Sequence, residues 1–103
     1  MRGVHIFVLT ALMGLATVTF GQSPSQPHPG RLLASNCFQC HGTNGRAVGD
    51  METLAGKSAG DIYQTLLEMR AEPVGANVMH VQTRGYTDVQ LRLIADFFSK
   101  QPN

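Results

Sequence analysis

Five consecutive residues, Cys37-Phe38-Gln39-Cys40-His41, constrain this chain more than any other feature. They read C-x-x-C-H. On a turn of helix, positions i, i+3 and i+4 share one face. Two thiols and an imidazole are therefore presented together. Cys37 and Cys40 are spaced to bond the two vinyl groups on one side of a porphyrin, and His41 to bring its ring under the iron as proximal ligand. The expected cofactor is one covalent haem c. Phe38 and Gln39 read as spacers whose types matter little. Three other readings of C-x-x-C are weaker here. A thioredoxin-like dithiol needs a βαβ context, and none appears. A structural zinc site needs four ligands at paired spacings, and the chain has two cysteines. A plain disulfide between Cys37 and Cys40 leaves the adjoining His41 unexplained.

The first residues bear on compartment. Met1-Arg2 is followed by an apolar run from Val4 to Phe20 that ends in small residues, Thr19 and Gly21. This is the pattern of a secretory signal peptide over 1–21, with cleavage expected after Gly21 and a periplasmic mature protein. The competing reading is an uncleaved anchor, although the run is near the lower length limit for a spanning helix. Arg2 is the only charged side chain in 1–21, so the remainder, with 7 basic and 7 acidic residues, is formally neutral. Neutrality argues against nucleic acid or an anionic membrane surface as partner. The roughly 80 residues that remain are few for a hydrophobic core, and chains of that size usually need a staple. A buried porphyrin supplies one.

Along the chain, 22–29 (QSPSQPHP) holds three prolines and reads as a flexible leader, with His28 a solvated side chain in it. Residues 30–39 are predicted to form the first helix, where the small Gly30 admits a close helix neighbour, expected to be Phe97 or Phe98. Gly42 to Gly45 is a turn. Residues 46–56 read as a loop that supplies a backbone carbonyl to His41 Nδ1. Ser58 and Asp61 form an S-x-x-D start for a helix to about Arg70, with Ile62, Leu66 and Met69 on its apolar face. Tyr63 suits either a haem propionate or plain packing. Residues 71–86 read as a long loop broken by Pro73 and Gly75, and loops of that length usually carry function. Thr87 and Gln90 form a T-x-x-Q capping box for the last helix, stapled by Tyr86 and Leu91. Leu91, Ile94, Ala95 and Phe98 keep helical period and face inward. No strand signal is present, and the fold class is all-α, a domain over 30–103 around one haem.

The sixth iron ligand decides the job, because a thioether favours electron transfer and an open site favours small-molecule binding. Candidates are Met51, Met69, Met79, His80 and His28. Met51 follows His41 too closely, and Met69 sits at core spacing. Met79, in the long loop, is the preferred distal ligand, with its neighbour His80 the alternative.

Together these residues resemble the class I cytochromes c. The stretches GRLLASNCFQCHGTNGRAVGD and RGYTDVQLRLIADFFSKQ are similar to the cytochrome subunits of flavocytochrome c sulfide dehydrogenases and to related small soluble cytochromes. In that group the sixth ligand precedes a K/R-G-Y/L-[ST]-D element, here Arg84 to Asp88, and Met79 falls at the matching position. Asp50 stands where the family often has proline, and the chain has one C-x-x-C-H where the dehydrogenase subunit often has two. The resemblance implies a small helical electron carrier whose partners are a sulfide-oxidising FAD flavoprotein, in a heterodimer, and a downstream electron acceptor. The chain has no G-x-G-x-x-G, so the flavin belongs to another subunit. A free carrier between respiratory or photosynthetic complexes is the alternative function. A haem-based ligand sensor, which needs an open distal side, is a second one.

Overall fold

The computed structural model describes residues 26–103 and, before them, only the isolated positions 3, 14, 16, 17 and 21. The predicted signal peptide and most of the predicted leader lie outside the described stretch. Among the described residues every regular element is helical. Helix α1 (Arg31–Ala34), a 3₁₀ turn (Ser35–Cys37) and α2 (Phe38–His41) form one nearly continuous run, followed by a second 3₁₀ turn (Thr43–Gly45). Then come α3 (Ala59–Ala71), α4 (Val78–Arg84) and α5 (Asp88–Ser99). No helix of the described residues is long and apolar enough to cross a membrane.

Helix α5 is the spine. Its start is the predicted capping box: Gln90 N–H donates to Thr87 Oγ1 (3.2 Å), and Thr87 N–H donates to Gln90 Oε1 (3.0 Å). Leu91, Ile94, Ala95, Phe97 and Phe98 are all buried along its inner face. Burying the leucine, isoleucine and phenylalanine side chains contributes roughly 1.5–3 kcal/mol each. Helix α3 packs beside it, capped by Ser58 Oγ, which accepts from Asp61 N–H (3.4 Å). Its buried side chains are Ile62 and Leu66. Tyr63 stacks under the Arg92 guanidinium, 4.5 Å from the ring centroid, and does not line the central cavity. Its ring also packs against the core.

Four expectations change. Residues 71–86 are not one loop, because they contain the two-turn helix α4. Its N-cap is Asn77, whose Oδ1 accepts from His80 N–H (3.0 Å). So short a helix is marginal by itself, and packing against α3 holds it. His28 is not solvated. Its Nδ1 accepts from Gly30 N–H (2.9 Å), which leaves Nε2 to donate to Asp96 (2.7 Å). Lys100 and His28 together hold the Asp96 carboxyl below its usual range. The close neighbour at Gly30 is backbone: a Cβ there would land on the Leu93 carbonyl of α5. Phe38 is not a spacer. It packs against Phe97 (6.0 Å between centroids) and Phe98 (6.1 Å), so the motif is bolted to α5 from within.

Candidate functional site

The helices enclose a cavity of about 700 Å³. That lies within the ~300–1,000 Å³ of cofactor-sized sites. Its walls are mostly apolar. Helix α3 contributes Ile62, Leu66 and Met69, and α5 contributes Leu91, Ile94 and Phe98. The first helical run contributes Cys37, Cys40 and His41, and α4 contributes Met79 and Thr83. The four residues singled out from sequence thus converge on one space.

The thiol pair comes from a tightened stretch of helix. Ser35 Oγ donates to the Leu32 carbonyl (2.6 Å) where the run turns 3₁₀. Such back-bonding competes with regular α geometry. Both cysteines are free, and burial, with Cys40 nearby, pushes the Cys37 thiol up to about 11. A redox dithiol needs the opposite shift, toward a thiolate at neutral pH. Among the described residues no group of three or more His, Cys, Asp or Glu side chains is arranged to hold a metal ion directly. An apolar cavity with two free thiols at its edge fits a porphyrin tethered by thioether bonds.

His41 is buried at the end of α2, and its Nδ1 lies 2.7 Å from the Glu52 carbonyl. A carbonyl only accepts, so Nδ1 carries the proton and Nε2 keeps a lone pair for a metal. The sequence predicted such a carbonyl from the 46–56 loop, and Glu52 supplies it. Several contacts fix that loop. Leu54 N–H (2.8 Å) and Ala55 N–H (3.1 Å) donate to the Gly45 carbonyl. Gly56 N–H donates to the Phe98 carbonyl (3.0 Å), and Lys57 pairs with the Glu52 side chain. The chain enters the loop through Gly42, at φ 80° and ψ 161°, where a Cβ would strike the Arg46 carbonyl.

Three methionines line the cavity: Met51, Met69 and Met79. Met51 belongs to the loop that holds His41, and Met69 to α3. Met79 comes from α4, a separate element, with Thr83 one turn on donating to the Met79 carbonyl (2.7 Å). His80 does not line the cavity; it is buried against the Met69 carbonyl. His28 lies on α5 at Asp96.

Sequence reasoning missed the part played by Tyr86. Its side chain lines the cavity, and its hydroxyl donates to the Leu33 carbonyl (3.1 Å) and accepts from Asn36 Nδ2 (2.9 Å). Arg70 donates to the Tyr86 carbonyl (3.0 Å) and pairs with Asp88. One residue therefore ties α1 to α3 and to the start of α5. The signal was a tyrosine, not a phenylalanine, at the staple position, since a buried hydroxyl seeks partners.

The family model for cytochrome c matches residues 29–100. The cytochrome subunit of sulfide dehydrogenase from Chlorobaculum tepidum is 32% identical over 69 residues, covering 67% of this chain and 63% of that protein. The chain thus spans less than two thirds of that relative's length. No solved structure matches it. The family match takes in every helix that walls the cavity, and the chain belongs to the cytochrome c family as a class I, electron-carrying c-type cytochrome.

Proposed function

We propose that this chain carries single electrons on one haem c, which Cys37 and Cys40 would tether and whose iron His41 and Met79 would bind, after export to the periplasm. The observation that carries the reading is the convergence of those four side chains on one cofactor-sized cavity. The haem, when bound, supplies reversible one-electron chemistry. The chain's own residues do the rest. The Glu52 carbonyl orients the His41 ring and fixes its tautomer. As a ligand, the Met79 thioether would favour ferrous iron. The apolar walls from α3 and α5 exclude water, so little rearranges as charge comes and goes.

The partner we propose is a sulfide-oxidising flavoprotein. The similar protein named above is a sulfide dehydrogenase cytochrome subunit. Oxidising HS⁻ to sulfur releases one proton and two electrons, which a single one-electron centre cannot accept together. A flavin on the partner takes both and passes them on singly to this chain, which hands each to a downstream acceptor.

Two experiments test this. The ferric protein is expected to show the weak near-infrared charge-transfer band of sulfur-ligated iron. Met79→Ala is expected to lose the band and lower the reduction potential, and Met69→Ala to keep it. Retention in Met79→Ala would refute the ligand assignment. For the partner, the cytochrome is mixed with sulfide without oxygen, with and without catalytic flavoprotein. Reduction is expected to be slow alone and fast with the partner, and the two proteins to co-elute. Equal rates and separate elution would favour a free carrier.

A further inference from the structure

His80 adjoins Met79 on α4 and is used differently. Its side chain is buried, with Nδ1 3.3 Å from the Met69 carbonyl in the last turn of α3. Among the described residues this is the one hydrogen bond between residues within α4 and α3; at the helix ends Asn77 Nδ2, the α4 cap, also donates to the Glu72 carboxylate just past α3. The carbonyl can only accept, so Nδ1 carries the proton and donates. The other tautomer would set two lone pairs against each other and bury an unpaired N–H. In the favoured tautomer Nε2 is a buried acceptor with no partner among the described residues.

An orphaned buried acceptor costs stability. Leucine would fill a similar space without that cost. A side chain that is worse for the fold than an obvious substitute points to a role at the nearby site. The position on α4 shows which role. Successive residues on a helix are about 100° apart around its axis. Met79 and Thr83, one turn apart, line the cavity, while His80 lies against α3. A two-turn helix has little stability of its own to set its rotation. Asn77 caps its start, but a cap at one end does not stop rotation about the axis.

We propose that His80 is a positioning residue for Met79: its hydrogen bond to the Met69 carbonyl fixes the rotation of α4 and keeps the thioether aimed into the cavity. The inference rests on the reading of Met79 as an iron ligand. It predicts that ligand lability and fold stability separate on substitution. His80→Leu removes the clamp and also the orphaned acceptor. Its unfolding midpoint is expected to equal or exceed that of the wild type, while Met79 is displaced more easily.

The test uses the haem-loaded ferric protein and imidazole as the competing ligand. Imidazole affinity is read from loss of the near-infrared band, and stability from denaturant unfolding. His80→Leu is expected to bind imidazole about threefold to tenfold more tightly than wild type, the scale of one lost hydrogen bond. His80→Asn, whose amide N–H reproduces the Nδ1 donor, is expected to restore wild-type affinity. Should His80→Leu fail to fold, His80→Gln, with its amide at the Nε2 end, replaces it in the comparison. Wild-type imidazole affinity in the variant lacking the donor would overturn the proposal. So would equal tightening in His80→Asn. Met79→Ala serves as the control: if it keeps the band, the ligand reading itself has failed. If it loses the band while His80→Leu binds imidazole as wild type does, the positioning role alone has failed.

Discussion

The two sides of the cavity are held by different means. On the His41 side, the ligand candidate follows two cysteines on the same helical run, and a loop closed by backbone hydrogen bonds presents the Glu52 carbonyl to its ring. On the Met79 side, a two-turn helix lies between Gly75 and Gly85, held by packing of its buried His80 and Thr83, the Asn77 cap and the His80 hydrogen bond to α3. Val78 and Val81 on it are both exposed, Val78 at the edge of the cavity. The first side is over-determined and the second is held at a few points. A covalent tether on one side would let the other adjust, so the proposed second ligand would rest on few residues.

Paired glycine substitutions should break this comparison most sharply. Gly42 sits in a region of backbone space open essentially to glycine alone, and its missing Cβ faces the Arg46 carbonyl. Gly42→Ala is expected to cost about 3 kcal/mol or more by denaturant unfolding. Gly75, before α4, also has positive φ (85°), but nothing lies within 4 Å of an added Cβ. Gly75→Ala is expected to cost only about 1–2 kcal/mol. Equal losses would mean that the Met79 side is as tightly built as the other.

The next contrast lies inside the motif. Phe38 packs on Phe97 and Phe98, whereas Gln39 is exposed. Phe38→Ala is expected to lower stability by about 2–3 kcal/mol, below the range for fully buried phenylalanine because it is only partly buried. Gln39→Ala is expected to stay within about 0.5 kcal/mol. A smaller effect follows from Asn77→Ala. Loss of the cap is expected to cost about 1 kcal/mol. Hydrogen exchange should then quicken in α4 while α5 keeps its protection. Quickening spread evenly over α3, α4 and α5 would show that α4 is not a separate unit.

What the sequence disclosed divides along the same line. The His41 side was legible because its chemistry is local. Cys37, Cys40 and His41 are spaced by one turn, Gly42 and Gly45 mark the turn, and only a nearby loop could offer His41 a carbonyl. The capping residues Ser58, Thr87 and Gln90 placed α3 and α5 for the same reason. Helix α4 was hidden because Pro73 and Gly75 signal a loop, the β-branched Val78 and Val81 weaken helical propensity, and two turns form only when packed. Asn77 and Gly85 were its flanking marks. His28, Phe38 and Tyr86 take their roles from partners at Asp96, on α5 and on α1, and no local pattern encodes those contacts.

The most direct test of the account is the mass of one peptide. Trypsin cleaves after Arg31 and Arg46, which isolates residues 32–46 with both cysteines and His41. From the native protein, that peptide is predicted to carry the mass of one haem, bound through both sulfurs and retained after denaturation. Recovery of the peptide with free thiols, with a Cys37–Cys40 disulfide, or with haem lost on denaturation would contradict the account.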